Sequence, residues 1–183
     1  VPNCVDEQLF HPHPPAQAPR RPIIAWVGKL DEHKNIRDFL DLAELLDIRR
    51  SDCECWIVGG RTAPKRAKEL LREDLERRRL GHCVRWLPFV SYHTMPPLYS
   101  LVAASGGVLV STSIAESFGM TALEAMACGC PLVASAVGAI PDLLADGSGL
   151  LFPLYDVESA AQAVQLLLDD NDLRMHQIAQ AQK

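Results

Sequence analysis

Two kinds of hydrophobic pattern alternate along this chain. One is a short, nearly continuous apolar run, found at residues 23–28, 55–60, 83–87, 107–111, 131–134 and 149–152. The other is an apolar residue at every third or fourth position, clearest in Ile36, Phe39, Leu40, Ala43 and Leu46. A short unbroken run predicts a strand buried on both faces, and the wider spacing predicts an amphipathic helix. Helices are therefore predicted over 36–46, 63–80, 95–103, 118–127, 141–145 and 157–168, with the remainder helical to the end. Pro96 and Pro97 suit the first turn of the third helix, where a missing N–H is tolerated. Six strands alternating with helices predict an α/β fold: a Rossmann-like, doubly wound parallel sheet with helices on both faces and right-handed crossovers.

Residues 1–22 break the pattern. They hold six of the thirteen prolines, including those in His11-Pro12-His13-Pro14-Pro15, and read as an extended, solvated interdomain linker. The folded domain is then expected over 23–183. The two histidines offer metal-ligating nitrogens, but a solvated tether accounts for them without a ligand.

Composition narrows the picture. With 183 residues, 48% of them hydrophobic, the chain is long enough for one substantial core. A formal net charge of −5 argues against nucleic-acid binding through a global basic field, so an anionic ligand needs a local basic pocket. Nine of the eighteen Lys and Arg fall between residues 61 and 85, against four acids. A solvated helix face explains that cluster more simply than a nucleic acid or an anionic membrane does. No apolar run reaches the roughly 18 residues of a membrane span. The chain opens without an initiator Met or a basic leader and reads as a piece of something longer. Its six cysteines form two C-x-C pairs, Cys53/Cys55 and Cys128/Cys130, with Cys4 and Cys83 alone. They read as small buried hydrophobes in a reducing compartment, with metal binding as the alternative.

The richest chemistry lies in Glu116-Ser117-Phe118-Gly119-Met120-Thr121-Ala122-Leu123-Glu124. An apolar strand precedes it, and the helix expected from Phe118 follows. A strand feeding a helix N-terminus makes a polar crevice at the carboxyl edge of a parallel sheet, where open α/β folds bind ligands. The free N–H groups and positive dipole end of the helix favour phosphate, and carboxylates are good acceptors for sugar hydroxyls. Phosphate with hydroxyls describes a sugar nucleotide. Eight residues at 3.6 per turn are about 800° of rotation, so Glu124 is expected to be rotated only modestly from Glu116 and to point to the same rim at a different depth, Glu116 meeting a hexose and Glu124 a ribose. An N-terminal helix charge beside an ordinary surface Glu is the simpler alternative.

A second loop, Gly28-Lys29-Leu30-Asp31-Glu32-His33-Lys34-Asn35, follows the first strand. Gly28 permits close backbone approach, and Lys29 and Lys34 can clamp a diphosphate as point charges, unless they are ordinary surface lysines. The loop is neither a G-x-x-x-x-G-K-[ST] phosphate loop nor a G-x-G-x-x-G fingerprint, which weakens a nicotinamide reading. Val84-Arg85-Trp86-Leu87-Pro88 either presents backbone groups to a base edge or is plain sheet core.

Taken in order, these segments resemble the C-terminal, donor-binding domain of a GT-B retaining glycosyltransferase of family 4, the group 1 transferases. Val1-Pro2-Asn3-Cys4-Val5-Asp6 resembles the family's P-N-G-V-D segment, and Gly28-Lys29-Leu30 with Lys34-Asn35 its diphosphate loop. Glu116 through Glu124 matches its E-x7-E motif. Gly129-Cys130-Pro131-Leu132-Val133-Ala134 resembles its G-x-P-V-V-A strand, and residues 138–142 and 146–151 match the segments that follow. The chain departs from the pattern at Lys29, where Arg is usual, at Cys4 for Gly, and at Asp142 for Glu.

The resemblance implies roles for the matching residues. Lys29 and Lys34 hold the diphosphate beside Gly28. Glu116 and the turn Ser117, Phe118, Gly119, Met120 and Thr121 hold the transferred sugar, Glu124 accepts from the ribose, and the strand end at Arg85 and Leu87 holds the base. Glu116, Lys29 and Lys34 carry the catalytic part. The implied reaction moves a sugar from a nucleotide diphosphate sugar, UDP being the commonest donor base, to an unknown acceptor with retention of configuration and without metal or other cofactor. The acceptor, a lipid, glycan or small molecule, belongs to an N-terminal domain that this sequence lacks, so the fragment is expected to bind nucleotide weakly and transfer little sugar. No nucleic-acid partner is implied. The expected location is cytoplasmic, with a peripheral place at the inner membrane face left open for the full-length protein. A non-catalytic nucleotide- or sugar-binding module of the same fold is the alternative from another class.

Overall fold

A computed structural model describes residues 5–182. The six expected strands form one sheet: β1 Ile23–Val27, β2 Glu54–Val58, β3 Val84–Leu87, β4 Val108–Ser111, β5 Leu132–Ser135 and β6 Leu150–Phe152. They lie in the order β3-β2-β1-β4-β5-β6, and every pairing is parallel. Strand order reverses between β1 and β4, the switch point at which a doubly wound sheet opens a crevice.

Both faces of the sheet are covered. Ile24, Trp26, Cys55, Ile57 and Val110 join a core built with α1 Ile36–Arg49, α2 Lys65–Arg77 and α6 Val157–Asp169. Ala25, Val58, Leu109 and Leu132 face a second core with α3 Met95–Ala104, α4 Met120–Ala127 and α5 Ile140–Leu143. Helix α7 Asn171–Ala181 runs beside α4. Arg174 of α7 is buried and donates to the carbonyls of Gly107 (2.7 Å) and Ala103. Alternate residues of each strand enter opposite cores, which is why the strands read as unbroken apolar runs.

Two expectations are corrected. The stretch read as a solvated tether packs onto the domain: Phe10 is buried in the second core, edge-on to Tyr92 at 5.3 Å and 6.5 Å from Tyr99. The His13 N–H donates to Ser100 Oγ at 2.8 Å. Proline content argues against a regular element but says nothing about what the backbone lies against, and residues 7–9 form a turn in which the Leu9 and Phe10 N–H groups donate to the Asp6 carbonyl. The helix expected from Phe118 starts instead at Met120. Gly119, at φ 70°, is in the left-handed region, and Ser117 and Phe118 precede the helix as an exposed turn.

Other readings meet the structure directly. Cys53, Cys55, Cys128 and Cys130 are buried, Cys83 is half-buried, and all five are free thiols. Cys4 lies outside the described residues. The basic stretch is largely engaged within the fold: Arg78 reaches Asp41 (2.5 Å) and Glu44 (2.8 Å), Arg66 pairs with Glu73 (3.1 Å), and Arg72 lies over the Trp86 ring. Among the described residues, no helix is long and apolar enough to cross a membrane.

Candidate functional site

A cleft of about 440 Å³ opens at the carboxyl ends of β1, β2 and β3. Gly28, Lys29, Asp31 and Lys34 line it from the loop after β1, Gly59, Gly60, Arg61 and Thr62 from the loop after β2, and Pro88, Phe89 and Val90 from the end of β3. Met95 of α3 and Thr121, in the first turn of α4, close it. The first two loops touch backbone to backbone. The Gly28 N–H donates to the Val58 carbonyl at 3.0 Å, and a Cβ on Gly59 would stand 2.1 Å from the Gly28 carbonyl oxygen. Only glycine permits that approach.

Lys34 is set by its own loop and by the segment that follows β4. Asp31 caps the 3-10 turn Glu32–Lys34 by accepting from the Lys34 N–H at 3.0 Å. Asn35 then turns the chain into α1 at φ 47°. Beneath it, Thr112 Oγ1 accepts from Trp26 Nε1 at 3.1 Å and lies within donating distance of the Asn35 (2.8 Å) and Lys34 (3.1 Å) carbonyls. The Ile114 N–H donates to the His33 carbonyl at 2.8 Å. The loop after β1 is thus fastened to the segment that leads to Glu116.

Lys34 Nζ meets Glu116 Oε2 at 2.5 Å, and the pair is partly buried. Glu116 Oε1 accepts from the Gly119 N–H at 3.3 Å, closing the turn before α4. Its backbone is held as tightly: the Ala139 N–H donates to the Glu116 carbonyl at 3.0 Å, and a Cβ on Gly138 would come within 1.9 Å of that oxygen. No side chain caps α4, so the N–H groups of its first turn remain available beside Thr121.

Glu124 follows Thr121 by three residues and shares its side of α4. It is half-buried and accepts from Tyr99 Oη at 3.2 Å. Burial pushes its carboxyl pKa up, with the Tyr99 hydrogen bond opposing. The helical rotation count does not relate it to Glu116, because residues 116–119 are a turn and not helix.

The structure therefore gathers Gly28, Lys29, Lys34 and Thr121 around one cleft, joins Glu116 to it through Lys34, and places Glu124 one turn further along α4. Ser117 and Phe118 are exposed outside the cleft lining, Gly119 is buried against Ile140 and Leu143, and Met120 is half-buried. Arg85 does not join them. Its guanidinium lies 5.3 Å over the Trp56 ring and 4.0 Å from Glu54, the first residue of β2, at the far end of the strands. Leu87 does not line the cleft either; its carbonyl accepts from the Gly59 N–H at 2.9 Å. The cleft wall on that side belongs to Pro88, Phe89 and Val90. Arg61, over the Phe89 ring at 4.3 Å, joins the second and third loops. These lining residues escaped the sequence reading, although the Gly59-Gly60 ending of the second strand repeats the signal of Gly28.

Residues 10–183 match the family model described as Glycosyl transferases group 1. The chain belongs to this family. Among curated relatives, the chain is 33% identical over 159 residues to the alpha-D-kanosaminyltransferase of Streptomyces kanamyceticus, covering 84% of this chain and 38% of that protein. It thus spans well under half the length of that relative. The fold is that of a solved C-terminal domain from the group 1 family protein LpcC of Francisella tularensis, with TM-score 0.83, 24% identity, and 98% of this chain and 95% of that one covered. Anabaena Alr3699/HepE, solved in complex with UDP-glucose, shares the fold at TM-score 0.83 and 20% identity over 98% of this chain and 50% of its own.

Proposed function

We propose that this chain is the donor-binding half of a retaining glycosyltransferase that takes a UDP-sugar as donor. One observation carries the reading: Lys29, Lys34 and the uncapped start of α4 converge on a single cleft at the switch point, with Glu116 bound to Lys34 at 2.5 Å. Two ammonium groups and helix N–H groups suit a diphosphate, and they stabilise the charge that develops on it as the glycosidic bond breaks. Glu116 accepts from hydroxyls of the transferred sugar, and Glu124 from the ribose. The base lies along Pro88–Val90, one step beyond the strand end inferred from sequence. The UDP-glucose complex of the HepE relative supports uridine as the base. Transfer needs no metal in this reading, because the lysines and helix dipole take that electrostatic part. The acceptor is bound by a second domain of the longer protein.

Calorimetric titration of the chain with UDP, GDP and ADP tests the reading. UDP is expected to bind best, with Lys29→Ala and Glu124→Ala each weakening it about tenfold, the loss of one charge-assisted contact. Equal binding of all three, or affinities that neither substitution changes, would remove the donor site from this cleft.

A further inference from the structure

At the end of the sheet away from the cleft, three residues from adjoining elements converge. Asp47 stands on the last turn of α1, His82 ends the 3-10 turn Leu80–His82, and Cys83 follows it into β3. A carboxylate oxygen, a ring nitrogen and the thiol sulfur of these three all lie within 4.8 Å of one another.

His82 is the informative member. Its Nδ1 lies 2.9 Å from the Arg79 carbonyl oxygen and its Nε2 lies 2.8 Å from Asp47 Oδ1. A carbonyl and an ionised carboxylate are both acceptors only, whereas a neutral imidazole has one N–H. One contact is satisfied by that proton; the other requires a second proton or a cation between the two atoms. A backbone carbonyl holding Nδ1–H, so that the Nε2 lone pair points at a carboxylate, is the arrangement that orients a metal-binding histidine. A second proton alone would satisfy the His82–Asp47 pair. The Cys83 thiol, whose sulfur sits in the same cluster and donates to the Leu80 carbonyl at 3.5 Å, adds a soft third donor to that pair.

We propose that Asp47, His82 and Cys83 bind one transition-metal ion of the zinc class. Imidazole, thiolate and carboxylate form a borderline-soft donor set that suits Zn²⁺ or Co²⁺ and is foreign to Mg²⁺ and Ca²⁺. Metal–ligand bonds of about 2.0–2.3 Å place tetrahedral ligand atoms roughly 3.2–3.6 Å apart. The ion enters by parting His82 from Asp47 and drawing Cys83 inward, and water takes the fourth position. Cys83 binds as the thiolate, and its proton leaves to solvent. The ion would staple the end of α1 to the edge strand β3. It lies at the opposite strand ends from the cleft and takes no part in the proposed donor chemistry.

The test is titration of the reduced, metal-free chain with Co²⁺, followed by thiolate-to-cobalt charge-transfer absorption, with Zn²⁺ competition and thermal unfolding beside it. One equivalent of Co²⁺ is expected to produce the band, and Zn²⁺ to abolish it while raising the unfolding midpoint. Cys83→Ser is expected to lose the band, and His82→Gln to lose both the tight binding and the Zn²⁺ stabilisation. The His82 side chain is 62% exposed, so His82→Gln should leave the fold intact; matching circular dichroism and metal-free midpoints check this. No band in the unsubstituted chain would overturn the proposal and leave His82 as an imidazolium paired with Asp47. A band kept by both variants would overturn it as well, by moving the metal to other thiols.

Discussion

Glu124 lies half-buried on α4, with the Tyr99 hydroxyl 3.2 Å from its carboxylate. Burial penalises the charged form and outweighs that hydrogen bond, so its pKa rises above the usual 4.5. An acid whose folded pKa is raised binds its proton more tightly in the folded state. Its contribution to stability is therefore greatest below the unfolded value and declines as pH climbs from about 4.5 through the folded pKa. The urea midpoint of the chain is expected to fall across that window relative to Glu124→Gln, which lacks the titration. Nucleotide affinity should move the opposite way, because a ribose hydroxyl needs the ionised acceptor. Parallel unfolding and binding series across the window check both signs. A flat difference between the two proteins would mean that the Glu124 carboxyl titrates alike in the folded and unfolded chain.

Among the elements, the loop after β1 depends on the segment just after β4 as much as on itself. Asp31 caps its 3-10 turn locally, but Thr112 supports it from below, linking the Trp26 indole to the carbonyls of Lys34 and Asn35. Thr112 and Trp26 are both buried, so a methyl in place of the hydroxyl leaves the indole N–H without a partner. Thr112→Val is nearly equal in volume and is expected to cost about 2 kcal/mol, the penalty of an unsatisfied buried donor. Nucleotide binding should weaken with it, since Lys34 rides on this loop. Chemical denaturation and titration of the same variant test the two effects. The Asp31 cap could be read from local spacing, whereas the Thr112 link joins residues 78 positions apart and could not.

For the whole molecule, the segment before β1 is part of the domain. Phe10 is 2% exposed and shares the second core with Tyr99 and Leu98. Phe10→Ala is expected to destabilise the chain by about 3 kcal/mol, through lost burial and the cavity left behind. A free tether would lose nothing measurable. A single cooperative denaturation curve shifted by that amount would place residue 10 inside the folding unit, in keeping with a family match that begins there.

The sequence by itself determined the elements. A strand buried on both faces must be apolar throughout, and a helix on a sheet must be apolar on one side, so both patterns are written locally. It determined the parallel, doubly wound class and the two motif loops, because glycine, lysine and carboxylate spacing is also local. Tertiary structure decided the rest. Strand order and the switch point depend on pairings between distant segments. Phe118 is apolar and looked like the helix start, but the left-handed backbone at Gly119 delays that start to Met120. The direction of the Arg85 side chain follows from its register opposite Trp56, which sends it away from the cleft. The bond between Lys34 and Glu116, 82 residues apart in sequence, exists only because β1 and β4 are neighbours in the sheet.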